Sequence, residues 1–165
     1  MFRVSQYMRE LAQAERTGTY PAPAARGTSA PGGPVGPVVI WNLIRRCNLT
    51  CKHCYATSAD SEFRDELDTA EALRVIDDLH AAGVKVLILS GGEPLLRDDL
   101  VELSAYARDK GFFVALSSNG TLIDEGNIAR IVEARYDYVG ISIDGLEAVH
   151  DDWRQLKGSF AASMH

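Results

Sequence analysis

The sequence predicts an α/β fold built on a parallel sheet, and three observations predict it. Short apolar runs rich in β-branched residues alternate with stretches of helical periodicity. The centres of the last three runs, near residues 86, 113 and 140, lie about 27 residues apart. Each run ends in a polar or glycine-rich turn. A strand, a helix and a second strand at that spacing form a right-handed crossover, which makes neighbouring strands parallel and puts helices on the sheet.

The elements follow in order. Val4, Tyr7, Met8 and Leu11 stand at i, i+3, i+4 and i+7, so residues 1–16 read as a short amphipathic helix that docks on the body of the protein. Residues 17–37 are rich in Gly, Pro and Ala and read as a linker. The core domain is assigned to 38–165. VVIWNLI (38–44) is a buried strand. Asp68 with Glu71 three residues on is a capping box, followed by an apolar face of Ala72, Leu73, Ile76 and Leu79 and a stop at Gly83. VKVLIL (84–89) is the second strand. Asp98 and Asp99 open a helix through Val101, Leu103 and Ala107 to Gly111, with both carboxylates at its positive end. FFVAL (112–116) is the third strand, Asp124 starts a helix through Ile128, Ile131 and Val132, and YVGISI (138–143) is the fourth strand.

Composition bounds the function. The 165 residues are 46% apolar and 24% charged, with a net charge of −6. No run of Lys or Arg exceeds Arg45-Arg46, which argues against nucleic acid as a partner, because phosphate binding needs concentrated positive charge. No stretch approaches the roughly 18–20 apolar residues of a membrane span, and the N-terminus lacks the apolar region of a secretory leader. A cytoplasmic setting is expected.

In α/β sheets, chemistry gathers at the C-terminal ends of the strands. Those ends carry RRCNLTCKHC, SGGEP, SSNG and SIDG. The first holds all three cysteines of the chain, Cys47, Cys51 and Cys54. An odd, tightly spaced set is not a disulfide framework. Zinc normally takes four Cys or His ligands, and the one nearby candidate, His53, adjoins Cys54 too closely for both to bind one ion comfortably. A redox pair of Cys51 and Cys54 leaves Cys47 unexplained. A cubane iron–sulfur cluster held by three thiolates leaves one iron open for a substrate or cofactor. In the second turn, Gly91 and Gly92 permit a close backbone approach to a ligand, and Glu93 suits a ligand ammonium.

The C-x3-C-x2-C spacing after the first strand, with Gly-Gly-Glu-Pro after the second, resembles the radical S-adenosylmethionine (SAM) superfamily over residues 38–165. That resemblance implies a (βα)6 barrel, of which about four βα units are present. It implies a [4Fe–4S] cluster on Cys47, Cys51 and Cys54 whose open iron takes the amino and carboxylate groups of SAM. Gly91, Gly92, Glu93 and Pro94 then meet the SAM amino group. Ser117, Ser118 and Asn119 meet its ribose or methionyl part, Ser142, Asp144 and Arg154 its carboxylate end, and His53 and Tyr55 its adenine. Ordinary turn chemistry explains Ser-Asn-Gly and Asp-Gly equally well.

The N-terminal segment, the linker and GPVVIWNLIRRCNLTCKHCYATSAD are similar to the branch of this superfamily that makes heme d1. This similarity implies hydrogen abstraction from the propionate side chains of a didecarboxysiroheme, an iron tetrapyrrole, with an electron donor such as ferredoxin or flavodoxin. Related heme-synthesis decarboxylases and peptide maturases are the alternatives. Arg45 and Arg46 are candidates to tune the cluster or meet an anionic substrate, against a plain solvated turn, and His80 faces solvent. No cysteine follows Cys54, and two of the six expected βα units are missing. The chain therefore reads as truncated at its C-terminus, with an exposed edge on the fourth strand. An inactive cluster-binding fragment or a small zinc module is the non-enzymatic alternative.

Overall fold

A computed structural model describes residues 36–165. The amphipathic helix expected over 1–16, and all but the last two residues of the linker expected over 17–37, lie outside the described residues. The elements run β1 (Val38–Ile44), α1 (Thr69–Ala81), β2 (Val86–Gly91), a single 3-10 turn (Pro94–Leu96), α2 (Leu100–Asp109), β3 (Phe113–Ser118), α3 (Ile128–Glu133), β4 (Tyr138–Ile141), α4 (Glu147–Arg154) and α5 (Ser159–Met164). The four strands form one sheet in the order β1-β2-β3-β4, with every neighbouring pair parallel. This is the expected α/β arrangement, and β4 lies at the sheet edge among the described residues.

One face of the sheet carries the core. Leu43, Leu87, Leu89, Val114 and Leu116 share that face by register and pack with Ala72, Ile76, Leu103, Ala107 and Phe112. Fully burying each such Leu or Ile stabilises by about 1.5–3 kcal/mol. The other face carries Val38, Ile40 and Tyr138, all exposed. Helix α1 starts as its sequence dictates: Asp68 Oδ1 accepts from Glu71 N at 2.8 Å and Glu71 Oε2 accepts from Asp68 N at 3.1 Å. A cap of this kind is worth about 1 kcal/mol.

Element limits differ from expectation where backbone pairing and apolar pattern part company. β2 and β3 begin later than their apolar runs and continue through Ser90-Gly91 and Ser117-Ser118. The ladder needs only N–H and C=O groups and is indifferent to those polar side chains. β4 stops at Ile141. Asp99 does not cap α2: its carboxylate receives Arg97 at 2.6 and 2.9 Å and the Thr69 hydroxyl at 2.7 Å. Asp124 closes a turn, its Oδ1 accepting from Gly126 N and Asn127 N, and α3 begins only at Ile128.

Candidate cofactor site

All four strands deliver their C-terminal ends to one rim, and hydrogen bonds tie the turns there together. The cysteine loop leaves β1 through Arg45 and Arg46, and both arginines organise it. Arg45 Nη2 donates to Thr57 Oγ1 at 2.7 Å, and the guanidinium stacks over Phe63 at 4.4 Å. Arg46 pairs with Asp60 at 2.8 Å. Both guanidinium groups are engaged by residues of the loop itself, Thr57 and Phe63 for Arg45 and Asp60 for Arg46. The loop closes where Cys47 N donates to Ala59 O at 3.1 Å and Cys54 N to Cys51 O at 3.2 Å.

The close approach that Gly91 and Gly92 permit is to the protein's own backbone. A Cβ on Gly91, where φ is +145°, would lie 2.3 Å from Ile44 O; one on Gly92 would lie 2.2 Å from Arg46 O and 2.5 Å from Arg45 O. Gly92 N donates to Ile44 O at 2.7 Å and Glu93 N to Arg46 O at 2.9 Å. The end of β2 is thereby clamped to the root of the cysteine loop.

Glu93 is completely buried. Its Oε1 accepts from Ser118 Oγ at 2.8 Å and Leu95 N at 3.1 Å, and its Oε2 accepts from Asn119 N at 2.8 Å. The carboxylate expected to face a ligand ammonium is thus spent on the protein's own donors and braces the β2 turn against the end of β3. Burial pushes its carboxyl above the ordinary carboxylate range, against the pull of the Asn119 and Leu95 N–H groups and the Ser118 hydroxyl.

A carboxyl of this kind binds its proton more tightly in the folded chain than in the unfolded one. Its contribution to stability is present below the ordinary carboxylate pKa and is lost as pH rises through the raised folded value. The stability of the wild type relative to Glu93→Gln, followed as urea midpoints upward from about pH 4, should therefore fall with rising pH. A difference that grows with pH contradicts this environment for Glu93.

Ser118 and Asn119 are equally committed. Ser118 Oγ accepts from Gly120 N at 2.9 Å while donating to Glu93. Asn119 Oδ1 accepts from the backbone N and hydroxyl of Thr121, and its Nδ2 donates to Asn48 Oδ1 at 2.9 Å and to Cys47 Sγ at 3.8 Å. Ser117 and Ser142 are half-buried, and their hydroxyls bond no other described side chain. Pro94 is buried at the start of the 3-10 turn.

A second cluster forms where α4 returns to the loop. Arg154, 8% exposed, donates from Nε to Asp144 Oδ2 at 2.6 Å, from Nη2 to Ser142 O at 3.2 Å, and from Nη1 to Cys51 Sγ at 3.9 Å. His53 Nε2 lies 3.6 Å from Asp144 Oδ1, and its ring meets Trp153 edge-on at 5.2 Å. Lys52 N donates to Trp153 O at 2.9 Å. Tyr55 is exposed and donates to Asn42 Oδ1 at 3.2 Å.

Four contributors escape the sequence reading. Asn48 and Thr121 look like ordinary loop residues until the fold joins them. His150 is 1% exposed and accepts from Asp144 N at 3.3 Å, with Nε2 unpartnered among the described residues. Asn42 alone left a signal, as a polar residue inside an apolar strand.

The donor set fits an iron–sulfur cluster. All three cysteines are free and share one loop. The Cys47 and Cys51 sulfurs are each met by N–H groups, the contacts that tune such clusters. Leu49 N reaches Cys47 Sγ at 3.4 Å, beside the Asn119 amide. Burial pushes the Cys47 and Cys51 thiols up, offset in part by these donors and by Arg154. Burial acts upward at Cys54 too, but the Ser58, Ala56 and Thr57 N–H groups outweigh it and leave that thiol below its ordinary value. Among the described residues, no three His, Cys, Asp or Glu side chains converge on a single ion.

Comparisons with known proteins agree with this geometry. The chain is 46% identical over 166 residues to pre-heme d1 synthase of Dinoroseobacter shibae, covering 99% of this chain and 38% of that protein. It is 50% identical over 128 residues to Fe-coproporphyrin III synthase of Methanosarcina barkeri, covering 78% of this chain and 32% of the relative. An AdoMet-dependent heme synthase of Oleidesulfovibrio alaskensis is 42% identical over 134 residues, with coverages of 81% and 34%. The chain thus spans between about a third and two fifths of the length of these relatives.

Among solved structures, Streptococcus suis SuiB bound to S-adenosylmethionine shares the fold with a TM-score of 0.61 at 15% identity, over 93% of this chain and 33% of that one. Native anSMEcpe with bound AdoMet matches at 0.57 and 24%, over 76% and 37%. Residues 41–164 match the Radical SAM superfamily. With a partial barrel of parallel βα units, three free cysteines after its first strand and these relatives, the chain belongs to the radical SAM superfamily.

Proposed function

We propose that this chain is the cluster- and SAM-binding part of an enzyme of heme d1 biosynthesis that acts on a didecarboxysiroheme. The cysteine loop, held against the ends of β2, β3 and β4 by Gly92, Asn119 and Arg154, supports the cluster, and 46% identity over 166 residues to pre-heme d1 synthase carries the choice of substrate. Cys47, Cys51 and Cys54 would hold a [4Fe–4S] cluster. The chemistry supplied there is one-electron reductive cleavage of the SAM sulfonium to methionine, with hydrogen abstraction from substrate propionates by the 5′-deoxyadenosyl fragment.

The chain's own residues divide into braces and contacts. Glu93, Ser118 and Asn119 have their side chains engaged, so they shape the rim. The SAM amino group is then met by backbone carbonyls of the Gly91–Pro94 turn. The open hydroxyls of Ser117 and Ser142 face the ribose and carboxylate ends, with Asp144 and Arg154 behind Ser142. His53 and exposed Tyr55 flank the adenine. A low-potential donor such as ferredoxin or flavodoxin fits this chemistry. No helix among the described residues is long and apolar enough to cross a membrane, and a cytoplasmic setting accords with an oxygen-sensitive cluster.

The similarity to Fe-coproporphyrin III synthase favours a second reading, heme synthesis by another route on the same kind of iron tetrapyrrole. Titration of the anaerobically reconstituted chain with didecarboxysiroheme, Fe-coproporphyrin III and an unrelated peptide, followed by absorbance, separates the two. Preference for didecarboxysiroheme supports heme d1 synthesis, and preference for Fe-coproporphyrin III supports the second reading. Binding of the peptide alone removes both.

A further inference from the structure

The three thiols differ in what faces them. Cys47 is met by neutral donors, the Leu49 N–H and the Asn119 amide. At Cys54 the backbone N–H groups of residues 56–58 act to lower the thiol, with no cation among the causes. Among the described residues, only Cys51 is met by a cation, with Arg154 Nη1 3.9 Å from its sulfur.

That cation is built in. Arg154 is 8% exposed, although it ends an exposed helix. Its other two nitrogens are anchored on Asp144 Oδ2 at 2.6 Å and Ser142 O at 3.2 Å, so the guanidinium cannot swing away from Cys51. Asp144 is itself fixed by its N–H to buried His150 Nδ1 at 3.3 Å. The backbone bond from Lys52 to Trp153 holds α4 against the cysteine loop. A guanidinium does not lose its proton in a protein, so its charge at this place is permanent.

We infer that Arg154 is a positioning residue that holds a fixed positive charge against the Cys51 ligand and eases entry of the reducing electron, with Asp144 setting how much of that charge is felt. This rests on the cluster reading above. One electron passes from an external one-electron reductant to the ligated irons, the net charge there becomes more negative by one, and no protein bond forms or breaks. A nearby cation favours the more negative state, and in a half-buried site water screens it only in part. Charge and hydrogen bonding at the sulfurs are among the levers that set such potentials. The Asp144 carboxylate, on the far side of the guanidinium, opposes the effect.

The test is an anaerobic redox titration of the reconstituted chain without SAM, read by electron paramagnetic resonance of the reduced state. Without SAM, any contact of Arg154 with a SAM carboxylate cannot contribute. Arg154→Gln is expected to make reduction about tenfold less favourable, a fall of about 59 mV for one electron. Asp144→Asn is expected to move the potential the opposite way, and Arg154→Lys to recover part of the loss. Opposite signs distinguish electrostatics from loosened packing, which would shift both variants alike.

Unchanged potentials in iron-loaded Arg154→Gln and Asp144→Asn, or shifts of the same sign, overturn the inference and leave the cluster reading intact. If Arg154→Gln takes up no iron, Asp144→Asn decides: an unchanged or lowered potential overturns the inference. A wild-type chain that binds no iron overturns both.

Discussion

Replacing Cys51 with Ser should abolish formation of 5′-deoxyadenosine from SAM by the anaerobically reconstituted, reduced protein. The thiolate is the form that binds metal, and a serine hydroxyl does not ionise to match it near neutral pH. Changes in the surroundings of a metal ligand already cost about 10–100-fold, so loss of a ligand should exceed about 100-fold. Iron content and the brown colour should fall with it. The wild type should lose both on exposure to air. Product analysis and iron determination on the two proteins in parallel provide the check. Wild-type turnover by Cys51→Ser, or a colourless wild type holding one zinc per chain, removes the cluster reading.

Gly92→Ala should be the most damaging change that alters no ligand. Its new methyl would lie 2.2 Å and 2.5 Å from two backbone carbonyl oxygens, of Arg46 and Arg45, and neither can rotate away as a side chain would. Relief requires separating β2 from the root of the cysteine loop, with loss of the Gly92–Ile44 and Glu93–Arg46 hydrogen bonds. A cost of about 3 kcal/mol is expected from overpacking of this severity. Iron uptake should drop with it, since the displaced segment leads directly into Cys47. Gly111→Ala is the control. Its φ is +87°, but the added methyl meets nothing within 4 Å, so its cost should stay at about 1–2 kcal/mol of backbone strain. Urea unfolding of the three proteins orders them, and equal midpoints for the two variants would refute the clamp.

Much of the sheet was legible because apolar, β-branched runs must be buried and parallel strands must be joined by crossovers. VVIWNLI matches β1 from Val38 to Ile44, and the Asp68–Glu71 box starts α1 as its residues require. The ends of β2 and β3 were less legible, because Ser90-Gly91 and Ser117-Ser118 join the ladder through backbone alone. Asp99 misled for a related reason. A carboxylate before a helix suits its positive end, but Arg97, two residues earlier, and Thr69, brought close by the fold, bind it more strongly than free backbone N–H groups can.

The candidate site divides in the same way. The cysteine spacing and Gly-Gly-Glu-Pro are short-range patterns, and they were enough to select the family. Their partners were not visible. Glu93 meets Ser118 and Asn119 across 25 and 26 residues, and Arg154 meets Cys51 across 103. Local periodicity and spacing encode the parallel α/β sheet, the loop that carries three thiols and the glycine-rich turn beside it. Glu93 as a buried brace, the glycines that make room for backbone and the fixed cation at Cys51 emerge only once the chain is packed. Burial and long-range pairing depend on where crossovers bring strand ends together, and no local pattern carries that information.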